Sequence, residues 1–300
     1  MAMIGQNWID ATRRNLLGGF NETRNRLSIG YASGGTTLTF SDPMGQIAEG
    51  VTLSIGLNVF YVISVKDMVA TVVGGQNGST DIACAAGSIV RINPKFTDWD
   101  IWQALAYDLS DLSGPSNGLY SMTYADVTYS AVLTGYDLGA VAAQKLISIY
   151  EVKYLRPGPH KDNPKIPSWA YRLNRQSAVG DIPSGLSLQI LNSAGMTQGY
   201  NVRVVYKAAF SMPATPTSDA STTGLAPTAF DLPPLGAAIY LMAGQEIKRN
   251  FISSQGDARR ATEVPAGAVA ASANGLKQLR HSRINAEASR LNQMYPIVKD

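Results

Sequence analysis

The sequence predicts an α+β fold: a helical bundle of N-terminal, central and C-terminal helices, with a small β-barrel or sandwich module and a second β-rich segment. Three observations carry this. Asp231–Phe251 places Leu235, Ile239, Met242, Ala243, Ile247 and Phe251 at intervals of three and four, which is one apolar helical stripe. Five short β-branched runs separated by turn residues fall between Thr36 and Pro94, which fits a small barrel or sandwich. Leu119–Phe210 then returns to alternating patterns.

In chain order, Gln6–Gly18 reads as a short helix, with Trp8, Thr12 and Leu16 four apart and Gly18-Gly19 as its stop. Arg13, Arg14, Arg24 and Arg26 make residues 1–30 a basic arm, either a solvated face or a reach toward an acidic partner. Residues 31–95 form the first β module, from TTLTF, VTLSIG, NVFYVISV, MVATVV and SIVRI, with Asp42-Pro43, Glu49-Gly50, Lys66-Asp67 and Asn77-Gly78 as turns. The third segment, 96–300, is expected as the core: helices over 97–112, 231–251 and 276–295, with the β segment 118–210 between the first two. Thr97 or Asp98 can cap the first of these, whose face is Trp99, Trp102, Leu105, Ala106, Leu109 and Leu112. Asp231 can anchor the second, and Pro233 and Pro234 fit its first turn, where a missing N–H costs nothing. Met212–Pro227 is a Pro/Thr/Ser/Ala-rich loop, and 252–274 is polar and poor in large apolar residues. Leu276, Leu279, Ile284, Ala288 and Leu291 mark the last helix, lined by Lys277, Arg280, Arg283 and Arg290 with Glu287 as its main acid.

Composition narrows the function. Hydrophobic residues are 45% and charged residues 16% of 300, so the chain folds and its surface is sparsely charged, as suits a subunit that hides area in an assembly. A net charge of +3 is too mild to argue nucleic-acid binding. Cys84 is the single cysteine, which excludes an intramolecular disulfide; within IACAAG it reads as a small buried hydrophobe. The start MAMIGQNWID lacks a basic stretch followed by an apolar one, so no secretory signal is expected, and no apolar run reaches the roughly 18 residues of a membrane span.

No catalytic motif stands out. GGQNGST at Gly74–Thr80 lacks the lysine of a phosphate loop and precedes a strand, so it reads as a tight turn. His160 and His281 lie far apart in sequence, and no carboxylates fall in a calcium pattern. No enzyme activity, cofactor or metal is expected.

The order of elements carries a resemblance. DWDIWQALAYDLSDL is followed by a β segment containing PSWAYRLNRQ, the strand YNVRVVYKAAF, a Thr/Ser/Pro loop, the Leu-Pro-Pro helix and a basic terminal helix ending in Tyr295-Pro296. This resembles the head-to-tail adaptor (connector, or neck) proteins of tailed bacteriophages, and GQNGSTDIACAAGSIVRINPKF is similar to modules of phage structural proteins. The resemblance implies a homo-oligomeric ring, typically twelvefold, in the virion neck. Such a ring is made in the host cytoplasm, docks under the portal protein, meets a downstream neck or tail protein and lets DNA pass transiently. Under it, Leu235, Ile239, Met242, Arg280, Arg283, Arg290, Met294 and Tyr295 are the candidate subunit and portal contacts, and Asn292–Asp300 is a flexible tail ordered on docking. Two other readings stand beside it. One is a tail-tip, baseplate or receptor-binding virion component. The other is a carbohydrate-binding or hydrolytic domain with an aromatic platform of Trp169, Tyr171 and Tyr136.

Overall fold

The structure, a computed structural model, describes residues 3–17, 22–43, 45–133, 135–139, 146–156, 163–178, 180–193, 195–253 and 268–296. It corrects the expected architecture. The chain is mostly β, 31% helical with four described helices, and is not a helical bundle carrying a small barrel. The helices do lie near their expected positions: α1 (Gly5–Leu17), α2 (Asp98–Leu112), α3 (Leu232–Ser253) and α4 (Ala268–Met294). Their apolar faces are too narrow to make a bundle. On α4, Leu279 is half exposed, and inward positions are few: Ala273, Ile284, Glu287 and Leu291. On α3 the first turns are buried from Leu232 to Ala238, but Tyr240 is open to solvent. Ile247 and Phe251 of the predicted stripe lie outside the described side chains, as does the Gly18-Gly19 stop of α1 outside the described residues.

The chain divides into two compact units, Ile4–Asp108 with Asp231–His281, and Leu109–Phe230 with Ser282–Asp300 and the first three residues. The first is built on six strands: β1 (Arg24–Arg26), β2 (Thr37–Thr39), β3 (Thr52–Ile55), β4 (Asn58–Lys66), β5 (Val69–Val73) and β6 (Ile89–Ile92). Their order is β1-β6-β3-β4-β5-β2, every pair antiparallel. The sheet curls into a half-barrel whose outer strands meet at one bridge, Leu27 opposite Phe40. Its inner face holds Leu38, Phe40, Leu53, Phe60, Val62 and Val90, all at most 2% exposed. Against α3 lies α1, with Trp8 and Ile9 fully buried, each burial contributing about 1.5–3 kcal/mol. The N-terminal arm is therefore a working part of this unit. Strand β1 escapes the sequence pattern because its three residues, Arg-Asn-Arg, are all polar.

Helix α2 starts from a reciprocal cap. Thr97 Oγ1 accepts the Asp100 N–H at 3.0 Å, and Asp100 Oδ2 accepts the Thr97 N–H at 3.1 Å. Thr97 is thus the cap, and Asp98 is free for another role. Gly74–Thr80 forms a turn with Gly75, Asn77 and Gly78 at positive φ, as its composition predicts.

The second unit has two antiparallel sheets. One has the order β10-β9-β13-β7, from β7 (Ser121–Thr128), β9 (Leu146–Tyr154), β10 (Lys165–Ile166) and β13 (Asn201–Ala208). The other has the order β11-β12-β8, from β8 (Tyr136–Asp137), β11 (Tyr171–Asn174) and β12 (Ser187–Ile190). Val152, Leu188, Val202, Val204 and Tyr206 form their shared core. The Met212–Pro227 loop is tied down by a capped turn, Asp219 accepting the Ser221 N–H at 2.8 Å, and by the Ala220 N–H donating to the Met3 carbonyl at 2.7 Å.

Candidate functional site

Two features of the half-barrel unit stand out, a groove and a face. The groove, about 1100 Å³, runs between α1 and the β1–β6 side of the sheet, with Arg14 and Arg24 on its rim. Its floor is a closed ring of four charges. Arg13 pairs with Glu22 and with Asp98 (2.5 Å), and Arg91 pairs with Asp98 (2.5 Å) and with Glu22 (3.2 Å). All four side chains are 2–11% exposed. Each cation touches both anions, so no buried charge lacks a counter-ion, the condition under which such burial is tolerated. The ring ties α1, the segment before β1, strand β6 and the start of α2 together. Arg13 also donates to the Phe96 carbonyl at 3.3 Å.

Cys84 lines the groove. Burial pushes the Cys84 thiol up, the Asn58 hydrogen bond opposes this, and the nearby Asp81 carboxylate adds to it. Cys84 is therefore a thiol at neutral pH, half-buried rather than fully buried, and not an activated nucleophile. His281 is exposed on α4, and His160 lies outside the described residues. No group of three or more potential metal ligands occurs among the described residues, and no described helix is long and apolar enough to cross a membrane.

Asp81 organises the turn beside the groove. It accepts the Tyr31 hydroxyl at 3.0 Å, the Gly34 N–H at 2.8 Å and the Asn58 amide at 3.1 Å. Burial would raise its carboxyl, but these three bonds outweigh burial and hold it below the ordinary carboxylate value. Desolvation, then the hydrogen bond to Asp81, pushes Tyr31 up to about 12.

The face is a patch on the outside of the half-barrel, next to the row in which Lys66 lies opposite Val69. Thr52, Tyr61 and Val73 sit opposite one another across β3, β4 and β5, and Ser64, Thr71 and Thr37 form the next row across β4, β5 and β2. Ile63 projects at the bulge between them. Tyr61, Ile63 and Val73 are 44–45% exposed, and neither row carries a charge.

The residues expected at a subunit or portal contact are dispersed. Leu235 is buried, while Ile239 and Met242 are half-buried. Arg280 is ion-paired with Asp108 at 2.6 Å, both side chains largely buried. Arg283 donates to the Thr228 carbonyl at 2.6 Å, and Arg290 holds Glu287 at 2.7 Å. Met294 is exposed. The Tyr295 ring meets Tyr150 edge-on, and the Tyr150 hydroxyl donates to the Pro296 carbonyl at 3.0 Å. Residues 292–296 thus belong to the fold, and 297–300 lie outside the described residues. Trp169 is exposed and Tyr171 half-buried, but Tyr136 is buried with its hydroxyl donating to the Ser130 carbonyl at 2.9 Å, so the three do not make a platform.

Sequence reasoning missed Glu22 and Asp98 as partners of Arg13, and Arg91 as the second cation they hold. Arg91 inside the apolar run SIVRI was the available signal, since a charge there must find a counter-ion. No protein-family model matches the chain, and no curated protein matches it.

Proposed function

We propose that this chain is a non-enzymatic structural protein of a phage virion, a head-to-tail adaptor that forms a ring under the portal and continues the DNA channel. The observation that carries the reading is a two-row uncharged patch on the outside of the half-barrel, bounded by Lys66 in the next row, with Tyr61, Ile63 and Val73 set among threonines and a serine. A sheet face that stays in water ordinarily carries Lys, Glu or Arg; aromatic and β-branched residues without charge suit a surface covered by protein. A closed ring joins one face of each subunit to a different face of the next, so this face needs an unlike partner surface. The order of elements in the sequence supports the same reading. The ionic ring suits it as well, because it locks α1 to the sheet without offering a reactive group.

The test is location. Antibody labelling of intact particles is expected to mark the collar, and negative-stain images of the protein added to portal-bearing capsids are expected to show a ring at the portal vertex. Labelling at the tail tip, or absence from the particle, overturns the proposal.

A further inference from the structure

The four-stranded sheet ends in two unlike edges. At one end is β10, two residues long and flanked by Pro164 and Pro167, with Lys165 in it. Shortness, lysine and proline are the devices that stop a sheet edge from recruiting another strand. At the other end is β7. It is eight residues long and pairs with β13 in unbroken register from Ser121↔Ala208 to Thr128↔Asn201. It contains no proline and no lysine, and among the described residues no backbone hydrogen bond reaches its outer side.

The apolar layer under β7 is also incomplete. On β13, Val202, Val204 and Tyr206 are at most 1% exposed. Ala125 and Val127, their neighbours on the same side of β7, are only half-buried. The sheet's inner face continues past its last strand, and one more strand would cover it.

We propose that β7 pairs antiparallel with β7 of a second copy about a two-fold axis, joining the two sheets edge to edge. The strand is complementary to itself. Its one charge, Asp126, is held by Arg203 through two bonds of 2.8 Å. The register that sets Ala125 opposite its own copy places Asp126 against Tyr124 and Thr123 against Val127. Inner residues then meet inner residues, and no like charges face each other. This pairing goes beyond the adaptor reading and stands apart from it, because a ring joins two different surfaces whereas the two-fold uses one edge twice.

The test uses the full chain. Analytical ultracentrifugation from about 1 to about 100 μM, the range of weak small-interface association, is expected to show a monomer becoming a dimer. Amide exchange along β7 is expected to slow with concentration, while β10 stays unchanged. Tyr124→Glu puts a carboxylate beside Arg203, whose guanidinium lies 4.0 Å from the Tyr124 ring, so the monomer keeps a partner for it. In the dimer that carboxylate faces Asp126 of the other copy, and association is expected to weaken by about tenfold or more. A monomer at every concentration, a dimer indifferent to Tyr124→Glu, or concentration-independent exchange in β7 overturns the proposal. If the variant fails to fold, the exchange measurement on the unmodified protein decides alone.

Discussion

Asp81 and the Arg13–Glu22–Arg91–Asp98 ring solve the same problem, a charge near a core, in two ways. Asp81 is stabilised by neutral donors, so its effect is readable in pH. Its folded value lies below the ordinary one, so its contribution is present above the ordinary carboxylate value and is lost as pH falls through the folded value. Tyr31 behaves oppositely: its contribution is complete below the ordinary tyrosine value of 10.0 and is lost as pH rises toward about 12. Urea denaturation across pH is expected to show both flanks, and Asp81→Asn is expected to lower the Tyr31 midpoint in a tyrosinate absorbance titration. The ring is stabilised by mutual pairing, so deleting one member strands another. Asp98→Asn leaves both arginines sharing Glu22 and is expected to cost about 3–5 kcal/mol, while Asp10→Asn on the exposed side of α1 stays within about 0.5. The sequence marked Arg13 only as one of several basic residues. Its partners come from positions 22 and 98 and are shared with Arg91; the charge inside SIVRI signals that a counter-ion is needed, but nothing local says which one.

At the scale of elements, periodicity located helices and strands well because each depends on neighbours a few residues away. What it did not supply is how much of each face is covered. The stripe on α4 suggested a bundle seam, yet Leu279 is half exposed and only every seventh position from Ile284 to Leu291 is buried hydrophobic. Strands β1, β8 and β10 were invisible because two or three residues carry no period. At Gly236 of α3 the structure shows a close approach that the apolar stripe does not mark. The Asp108 carboxylate of α2 lies where a Cβ on Gly236 would stand, Tyr107 stacks at 5.6 Å on Tyr240, and Asp108 holds Arg280. An ordinary helical Gly→Ala change gains up to about 1 kcal/mol. Gly236→Ala is expected to do the reverse, losing about 2–3 kcal/mol in urea denaturation because Asp108 must move and break its pair with Arg280. A gain in stability on that substitution would show that α2 does not press on Gly236.

For the molecule as a whole, the distribution of charge matters more than its total. The chain has 25 basic and 22 acidic residues, and several of its charges are internal: four in the ring below the groove, and Asp108 with Arg280. The rows Thr52–Tyr61–Val73 and Ser64–Thr71–Thr37 carry none. Association through such surfaces is driven by removing apolar area from water, and salt screens charge without weakening that term. Excluded salts such as sulfate strengthen it. Self-association is therefore expected to hold from low to high sodium chloride and to increase in sulfate, measured by light scattering at fixed protein concentration. An electrostatic interface behaves otherwise, loosening steeply as the screening length falls from about 30 Å at 0.01 M to about 3 Å at 1 M. The variant Tyr61→Lys with Val73→Glu separates the two cases at the face itself. The substitutions lie opposite each other on β4 and β5 and can pair, so the half-barrel keeps its fold, while the face gains two charges that must lose water on contact. Its assembly is expected to fall with its melting curve unchanged, and an assembly that survives both charges would move the interface away from the half-barrel.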